Sequence, residues 1–337
     1  MKQIVKISLA AVMALGVSAS AGTLENVKKA GTLKCGVSTG LAGFAEVGSD
    51  KVWKGLDVDM CRSVAAAVLG DAKKVTIVPL TAKERFTALQ SGEVDLLARN
   101  TTWTNTRDTS MGLNFAGVNY YDGQGFLVSK KLGVKSAKQL DGASVCITSG
   151  TTTELTLAEY FAVNEMKYKP ITYDTADQVL KGFEAGRCDL ITSDASQLYS
   201  LRSKMKNPKD FKVLPQIISK EPLGPVVRQG DDVWFNIVRW SLNAMITAEE
   251  LGLTSANVDS KMKTSKNPEV GKICGTIGTL GANLKLDAKW SYNIIKQVGS
   301  YAESFDRNVG KKSPLKIRRG INRLWSDNGI MYSPPFR

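Results

Sequence analysis

Apolar residues along this chain follow two spacings, which together predict an alternation of strands and helices. Short runs of apolar and β-branched residues that end at Gly, Pro or Asp are typical of buried strands. Apolar residues spaced i, i+4 and i+8, as at Met60, Val64 and Val68, are typical of a helix. In the first third of the chain, strands are predicted at 32–37, 75–79 and 94–98, and helices at 24–30, 57–69 and 82–90. This alternation predicts a parallel α/β sheet.

A second α/β unit is predicted where the alternation restarts. Its strands are predicted at 125–129, 143–148, 171–173, 189–192 and 211–214, and its helices at 152–164, 176–184 and 195–201. Gly and Pro near 121–125 and 222–225 indicate the crossovers between the units and suit hinges. We therefore expect a first lobe formed by residues 22–122 and 226–337, and a second lobe formed by residues 123–225.

The C-terminal part of the first lobe is predicted to be helical. Residues 232–250 predict a helix rich in apolar residues. Beyond it, five apolar residues share one helical face: Trp290, Ile294, Val298, Tyr301 and Phe305. We expect this face to pack against a lobe rather than to bind a cofactor or partner. The basic residues between 311 and 323 predict a solvated helix face.

A short internal repeat relates the two units. Residues 89–97, Leu-Gln-Ser-Gly-Glu-Val-Asp-Leu-Leu, match residues 183–191, Phe-Glu-Ala-Gly-Arg-Cys-Asp-Leu-Ile. Each copy predicts a helix end, a glycine cap and a buried strand, although any α/β unit could carry such a pattern. In open parallel sheets, ligands bind outside the carboxyl ends of the strands. Arg107 follows the first copy and Asp194 the second, so a cation and a carboxylate are expected at equivalent places.

The first 21 residues predict a removable secretory signal peptide. A basic segment, 1–6, precedes a short apolar run, 7–17, and an A-x-A cleavage signal that ends at Ala21. The run is too short to span a membrane; a retained N-terminal anchor is the alternative. Because the first cysteine is Cys35, we expect no lipid anchor at the cleavage point. This type of signal favours the bacterial periplasm.

Composition excludes several classes of chemistry. A hydrophobic content of 43% and a charged content of 23% are typical of a soluble globular protein. The chain has no histidine, which excludes Ser-His-Asp and Cys-His catalysis and histidine-based metal sites. Removal of Lys2 and Lys6 lowers the formal net charge from +13 to +11. The lysines are scattered, and export removes nucleic acid as a natural partner, so we expect none.

The cysteines predict two disulfides. Export permits disulfide formation, and no C-x-x-C pair indicates zinc. We expect Cys35–Cys61 and Cys146–Cys188, because each pair lies within one neighbourhood of the sequence. Each bridge would contribute about 3 kcal/mol by closing a loop in the unfolded chain. Cys274 would then be free; five buried thiols are the alternative.

The polar run at residues 100–108, Asn-Thr-Thr-Trp-Thr-Asn-Thr-Arg-Asp, is the first candidate binding site. It follows a predicted strand and places one arginine beside several hydroxyls and amides. Arg107 can pair with a carboxylate through two parallel hydrogen bonds. Thr102 and the segment at Asn100 and Thr101 can bind either a carboxylate or an ammonium group.

Two further segments complete the candidate site. Residues 150–154, Gly-Thr-Thr-Thr-Glu, open a predicted helix, and Thr151 and Thr152 could bind an anion together with free backbone N–H groups. A plain capping box would explain the same spacing. Asp194 ends a predicted strand at the place where an ammonium group would bind, although it could simply cap the next helix.

Two aromatic residues each allow two interpretations, and one glycine series matches no nucleotide-binding motif. Phe44, in the loop after the first strand, could contact a ligand side chain or lie in the core. Trp103 fits a pocket wall or the core equally well. The glycines between 275 and 281 match neither dinucleotide-binding nor P-loop spacing. We therefore expect neither a cofactor nor a metal.

At these residues the chain resembles a known family. The segments that carry the resemblance are 31–37, 55–59, 89–97, 104–107, 150–152 and 186–194. They are similar to solute-binding proteins of polar amino acid ABC importers, over nearly the whole chain after the signal peptide. Residues 83–89, 100–108 and 319–325 further resemble the general L-amino-acid binders of the Aap/Bzt type, which share the long tail.

The resemblance implies a fold, a function and residue roles. The implied fold is an α/β, two-lobed periplasmic-binding-protein clamshell of type II. Each lobe would be a mostly parallel sheet flanked by helices, and a helical C-terminal extension would follow. The implied function is that of a monomer which binds free L-amino acids in the periplasm and delivers them to an ABC importer permease. Arg107, with Thr102 and Thr152, would bind the α-carboxylate, and Asp194 would bind the α-ammonium group.

Two residues depart from the family pattern, and two other functions are alternatives to the implied one. Cys274 is outside the family pattern, and Phe44 follows Gly43 where many relatives have Pro-Phe, which leaves the side-chain pocket open. A prephenate- or arogenate-type dehydratase on the same fold is the enzyme alternative, with Glu46 or Glu154 as the general acid. A receptor sensor domain is disfavoured because no transmembrane or signalling segment follows.

Overall fold

The structure, a computed structural model, describes residues 22–337, and the predicted signal peptide lies outside the described residues. Its strands are β1 (Leu33–Ser38), β2 (Glu46–Val47), β3 (Trp53–Lys54), β4 (Val75–Leu80), β5 (Leu96–Leu97), β6 (Leu113–Phe115), β7 (Tyr120–Asp122), β8 (Gln124–Ser129), β9 (Ser144–Thr148), β10 (Lys169–Tyr173), β11 (Leu190–Asp194), β12 (Phe211–Val213), β13 (Glu221–Leu223) and β14 (Val226–Arg228). Its α-helices are α1 (Thr23–Ala30), α2 (Leu56–Leu69), α3 (Arg85–Gln90), α4 (Asn105–Ser110), α5 (Thr152–Val163), α6 (Ala176–Glu184), α7 (Ala195–Lys204), α8 (Asp232–Glu250), α9 (Val258–Thr264), α10 (Pro268–Ile273), α11 (Leu280–Asn283), α12 (Trp290–Gln297) and α13 (Tyr301–Asn308).

Two five-stranded sheets with the same strand order form the two lobes. The first sheet runs β4-β1-β5-β14-β6, and the second runs β10-β9-β11-β8-β12. In each sheet the first three strands are parallel, and the fourth is antiparallel to both of its neighbours. The two copies of the internal repeat lead into β5 and β11, which occupy equivalent positions. The repeat therefore marks equivalent parts of the two lobes, which is one of the two interpretations of the sequence pattern.

The antiparallel strand of each sheet enters from the other lobe. β8 directly follows β7, and β14 directly follows β13, so the chain crosses between the sheets at the places that Gly and Pro predicted. β7 and β13 also pair with each other, with Asp122 opposite Glu221 and Tyr120 opposite Leu223. The two crossovers thus form one short antiparallel ribbon. A ribbon of two short strands is a suitable hinge between rigid sheets.

Both predicted disulfides are confirmed. Cys35–Cys61 joins β1 to α2, and Cys146–Cys188 joins β9 to the loop before β11. Cys274 is free and buried. Each lobe therefore has a covalent link between its central strands and a neighbouring element. Among residues 22–337, no helix is both long and apolar enough to cross a membrane.

The C-terminal extension packs against the first lobe, as the apolar stripe predicted. All five stripe residues are buried in the core cluster that also contains β1, α2 and α8. The prediction of a single helical face was wrong in one respect, because Gly299, with φ +96°, separates α12 from α13. The basic residues between 311 and 323 are mostly exposed, as predicted, but they lie in an irregular segment rather than on a helix.

Asn322 connects this extension to the hinge. Its side-chain amide donates to Tyr121 O at 2.9 Å, and its Oδ1 accepts from Tyr121 N–H at 2.7 Å. The Arg319 side chain in turn donates to Asn322 O and pairs with Glu249 of α8. Tyr301 of α13 donates its hydroxyl to Asn119 O, just before β7. The extension therefore supports β7 through Tyr121 and through the residue before the strand.

We expect Asn322→Ala to lower the free energy of unfolding by about 1–3 kcal/mol, because it leaves the Tyr121 N–H and C=O groups without partners. Urea denaturation would measure the change. Asn283→Ala is the matched control, since Asn283 lies on the same extension with an exposed side chain. Equal midpoints for the two variants would contradict a structural link between the extension and the hinge.

Candidate functional site

A polar cavity lies between the two lobes, at the carboxyl ends of their parallel strands. The first lobe contributes Ser38, Thr39, Arg85, Arg99, Asn100 and Thr102 to its wall. The second lobe contributes Thr148, Thr151, Thr152, Thr153, Ala176, Ser193, Asp194 and Gln197. The wall is polar and carries both signs of charge. Such an arrangement can bind a small zwitterion.

The segment after β5 makes a strained turn into the cavity. Asn100 has φ +33°, which is rare for a residue other than glycine. Its backbone N–H donates to Asp57 Oδ2 at 2.8 Å, and Asn119 donates to Asp57 Oδ1 at 3.2 Å. Burial raises the pKa of Asp57 to about 6. Thr101 is buried and donates its hydroxyl to Arg99 O, so it supports the turn and does not line the cavity.

Arg107 borders the cavity through Thr102. It lies in the first turn of α4, where its N–H donates to the capping Thr104 hydroxyl. Its Nη1 donates to Thr102 O at 2.9 Å, and its guanidinium carbon lies 5.1 Å from the Phe86 ring centre. Burial lowers the pKa of Arg107, while the carboxylates of Glu221 and Asp194 oppose that shift. The guanidinium is thus held near the cavity at a fixed angle, although it is not part of the wall itself.

The first turn of α5 faces the cavity without a complete capping box. Thr151 donates its hydroxyl to Thr148 O at 2.8 Å and does not accept from the helix. Glu154 accepts from Gly150 N–H at 2.8 Å. The plain capping interpretation is therefore wrong for the Thr151 side chain. Thr152, at the first helical position, donates to Glu221 Oε2 at 3.0 Å and lies 3.4 Å from the Thr102 hydroxyl across the lobes.

Asp194 is not the cap of α7. It occupies the N-cap position but makes no capping hydrogen bond. Asp122 of the hinge instead accepts from Ser196 N–H at 3.2 Å. The Asp194 carboxyl, with its residue only 6% exposed, is left to line the cavity. The alternative interpretation of Asp194 as a simple helix cap was wrong.

Burial and neighbouring carboxylates determine the charge of Asp194. Burial raises its pKa well above the usual range, and the nearby Asp122 and Glu221 raise it further. A hydrogen bond from the Asn100 side chain and the charge of Arg85 oppose this shift. Burial also raises the pKa of Asp122 to about 6. A ligand cation beside Asp194 would offset this unfavourable environment.

The two aromatic candidates lie elsewhere. Phe44 is 0% exposed and packs edge-on against Tyr120 at 5.3 Å, within the core of the first lobe. A Cβ atom at Gly55 would lie 1.9 Å from Phe44 O, so the bare glycine lets this loop fold onto α2. Trp103 is 38% exposed and stacks on Phe115 at 5.5 Å. Neither ring is part of the cavity wall.

Sequence reasoning missed Arg85 and Arg99. Arg99 follows β5 and donates to Leu80 O at 3.0 Å, and its guanidinium interacts with the Asp57 carboxylate. Arg85 begins α3, shortly after the carboxyl end of β4. The rule that ligands bind at the carboxyl ends of parallel strands could have found both residues, had it been applied to β4 as well.

Contacts across the cavity mouth show a closed arrangement of the lobes. Lys83 pairs with Asp174 at 2.8 Å, and Arg85 Nη2 donates to Gly150 O at 3.3 Å. On another side, Lys204 donates to Gly40 O at 3.4 Å. Each contact joins a residue of one lobe to a residue of the other. Two lobes that meet around a cavity can enclose a ligand.

The two glutamates proposed as general acid for a dehydratase form hydrogen bonds outside the cavity wall. Glu46 accepts from Gly43 N–H at 3.2 Å, and Glu154 accepts from Gly150 N–H. Neither is part of the cavity wall. A general acid must lie within hydrogen-bond reach of the reacting group. The geometry therefore gives no support to the dehydratase alternative.

Comparisons with known proteins agree with this geometry. Residues 33–256 match the family described as bacterial extracellular solute-binding proteins, family 3. The putative amino-acid ABC transporter-binding protein YhdW of Escherichia coli (strain K12) is 58% identical to the chain, with 100% of both chains covered. The general L-amino acid-binding periplasmic protein AapJ of Rhizobium johnstonii is 56% identical, with 97% of both covered. The glutamate/glutamine/aspartate/asparagine-binding protein BztA of Rhodobacter capsulatus is 50% identical, with 95% of both covered.

A solved structure shares the whole fold. The ABC transporter periplasmic binding protein from Brucella ovis, with glutathione bound, superposes with a TM-score of 0.92 at 52% identity. The match covers 94% of this chain and 100% of that chain, so it includes the C-terminal extension. The two-lobed α/β clamshell is therefore confirmed. By sequence and by structure, the chain belongs to the bacterial extracellular solute-binding proteins of family 3.

Proposed function

We propose that this protein binds free L-amino acids in the periplasm and delivers them, as a monomer, to the permease of an ABC importer. The observation that carries the proposal is the closed polar cavity, whose wall includes Asp194 from the second lobe and Thr102 from the first, with Arg107 hydrogen-bonded to Thr102 O behind it. The names of the close relatives support the ligand class and the transport role. Neither a metal nor a cofactor enters the proposal.

The proposed site divides the constant part of an amino acid between the lobes. Arg107 pairs with the α-carboxylate, and Thr102, Thr152 and the free N–H groups of the first turn of α5 add donors. Asp194 binds the α-ammonium group, with the Asn100 side chain beside it. Thr101 and Thr151 position the two binding segments through their hydrogen bonds to backbone carbonyls. Phe44 has no part in binding, because it lies in the core.

Binding and closure are coupled in this proposal. The first lobe, residues 22–122 and 226–337, holds Arg107, and the second lobe, residues 123–225, holds Asp194. A ligand that docks on one lobe gains its remaining hydrogen bonds only when the β7–β13 ribbon lets the other lobe close. The closed form is therefore stabilised by ligand, and the closed form is what the permease meets.

A thermal-shift screen tests the proposal most directly. Only ligands that bind the folded protein raise its unfolding midpoint. Mature protein should be screened against the twenty amino acids, each at millimolar concentration, and positive results confirmed by titration calorimetry. We expect several amino acids to raise the midpoint. A flat response to all twenty would overturn the proposed function.

We expect Lys83→Ala to weaken amino acid binding by no more than about fivefold, because exposed ion pairs contribute little. The Lys83–Asp174 pair joins the lobes in this closed arrangement, so its loss should shift the protein toward an open form. Titration calorimetry at low and high salt would measure the effect, which should shrink at high salt. Lys73→Ala, an exposed lysine outside the cleft, is the control. A difference that persists at high salt would contradict an electrostatic latch.

A further inference from the structure

Asp57 is a buried carboxylate that connects three segments of the first lobe. It lies in the first turn of α2 and is 1% exposed. Its Oδ2 accepts the backbone N–H of Asn100 at 2.8 Å, and its Oδ1 accepts from the Asn119 side-chain amide at 3.2 Å. The Arg99 guanidinium interacts with the same carboxylate. Because Asp57 is not part of the cavity wall, it can influence a ligand only through these neighbours.

The turn at Asn100 needs this support. Its φ of +33° is a sparsely populated conformation, which a residue keeps only where its surroundings hold it. Arg99 Nη1 donates to Asn100 Oδ1 at 3.4 Å, which leaves the amide NH₂ group of Asn100 to donate to Asp194. The direction of the Asn100 side chain toward Asp194 depends on the backbone conformation of the turn. Asp57 holds that backbone through its N–H group.

The other end of this hydrogen-bond network lies in the C-terminal extension. Tyr301 of α13 is 1% exposed and donates its hydroxyl to Asn119 O at 2.8 Å. The side chain of Asn119 donates in turn to Asp57. Hydrogen bonds therefore run from Tyr301 through Asn119, Asp57 and Asn100 to Asp194 in the other lobe. A contiguous network of this kind can couple distant parts of a protein.

We propose that Asp57 and Tyr301 are positioning residues, and that through them the C-terminal extension sets the Asn100 turn and so the affinity for the ligand. The proposal rests on the proposed function, since it takes Asp194 as the partner of the ligand ammonium group. Tyr301 lies outside residues 33–256, the part that matches the family. Part of the ligand affinity thus depends on a segment beyond the matched core, and neither positioning residue touches the ligand.

Titration calorimetry of Asp57→Asn and Tyr301→Phe tests the proposal. The ligand is the amino acid that most raises the unfolding midpoint of the wild-type protein. Substitutions within such networks change coupling by a factor of about 2 to 30. Asparagine at position 57 keeps one acceptor oxygen but turns an NH₂ group toward the other donor, so we expect an affinity loss of about 10- to 30-fold. Tyr301→Phe removes only the distant hydroxyl, and its loss should be about two- to fivefold.

Two matched controls separate positioning from general stabilisation. Asp59→Asn removes another buried carboxylate of α2, which accepts from three side chains of α13. Tyr292→Phe removes a hydroxyl of the extension that donates to Asp259 at 2.6 Å. Asp59→Asn should lower the unfolding midpoint, yet both controls should bind ligand within about twofold of wild type, a change at the lower limit of such coupling. An affinity loss in Asp59→Asn equal to that in Asp57→Asn would assign the effect to general loosening of the lobe and overturn the proposal.

A double-mutant cycle with Asn100→Gly gives a measurement that a merely structural role would not change. If Asp57 acts through the Asn100 side chain, Asp57→Asn should cost less than about twofold in affinity in the Asn100→Gly background. Additive losses, or wild-type affinity in Asp57→Asn, would overturn the proposal while the proposed function stands. If the wild-type protein binds none of the twenty amino acids, both fail. Should Asp57→Asn not fold, the same cycle with Tyr301→Phe decides, and additive losses there would overturn the network.

Discussion

Replacing Arg107 by alanine is expected to weaken amino acid binding by at least about 30-fold while the fold survives. The proposed pairing with the α-carboxylate is common to all amino acids, so no ligand can avoid the loss. Removing one partner of a buried, hydrogen-bonded charge pair costs about 2–5 kcal/mol, which is about 30- to 5,000-fold in affinity. The fold should tolerate the change, because the side chain makes one hydrogen bond, to Thr102 O, and one ring contact, to Phe86.

Titration calorimetry against the ligands found by thermal shift would measure this loss. Arg239→Ala is the matched control, because Arg239 also lies over a phenylalanine ring, that of Phe235 at 4.0 Å, but on α8 away from the cavity. The control should bind as wild type does, and both variants should unfold cooperatively. Wild-type affinity in Arg107→Ala would contradict the assigned site, and Arg85 or Arg99 would then be the carboxylate partner to examine.

Part of the cavity wall could be predicted from sequence with one rule. Ligands bind at the carboxyl ends of parallel strands, and Thr102, Thr152 and Asp194 each follow or end a strand that the apolar pattern predicts. The internal repeat added the equivalence of β5 and β11, which brings two opposite charges to one place. These inferences depend only on local patterns and on the shared direction of neighbouring strands.

Features that depend on loop geometry could not be predicted in this way. The helix expected from Ala82 begins at Arg85, because Thr81 N–H and its hydroxyl bond to the Glu84 carboxylate and form a separate turn. That turn determines where Arg85 points. Phe44 lies in the core because Gly55 permits close approach of two backbone segments. The spacing of residues along a sequence predicts neither the direction of a turn nor a contact between distant segments.

The direction of each strand could not be predicted from the sequence pattern either. Apolar periodicity identifies a strand but not its orientation, so the antiparallel β8 could not be distinguished from its parallel neighbours, and β14 was not predicted as a strand. Their orientation follows from the crossovers. In each sheet, a helix returns the chain to the end at which the next parallel strand begins. A strand that enters the sheet directly from the other lobe has no such helix before it, and it therefore runs antiparallel to its neighbours.

The hinge and the proposed ammonium site share one electrostatic cluster. Asp122 in β7 and Glu221 in β13 face each other across the hinge ribbon, and both raise the pKa of Asp194. Asp122 also caps α7, which frees the Asp194 carboxyl for the cavity. Glu221 accepts from Thr152 of the second lobe. A ligand ammonium beside Asp194 would reduce the repulsion among the three carboxylates and so favour closure at the hinge.

Asp194→Asn is expected to reduce amino acid affinity by about 100-fold or more at pH 7, because a neutral amide cannot replace the ion pair with the ammonium group. The same change should stabilise the unliganded protein at pH 7. A carboxyl whose pKa is raised in the folded state contributes stability that is present below its unfolded pKa and is lost as pH rises through the folded pKa. Because asparagine does not titrate, the variant does not lose this folding stability as pH rises to 7.

The pH dependence of binding separates this role from a structural one. Wild-type affinity should fall as pH decreases through the raised pKa of Asp194, because the protonated carboxyl no longer attracts the ammonium group. The affinity of Asp194→Asn should respond less over the same range, with the remaining change due to Asp122, whose pKa is about 6. Titration calorimetry between pH 5 and 8 would measure both, with Asp210→Asn, an exposed aspartate of the second lobe, as the control. Parallel pH profiles for wild type and Asp194→Asn would remove Asp194 from the site and assign the acid sensitivity to the hinge pair alone.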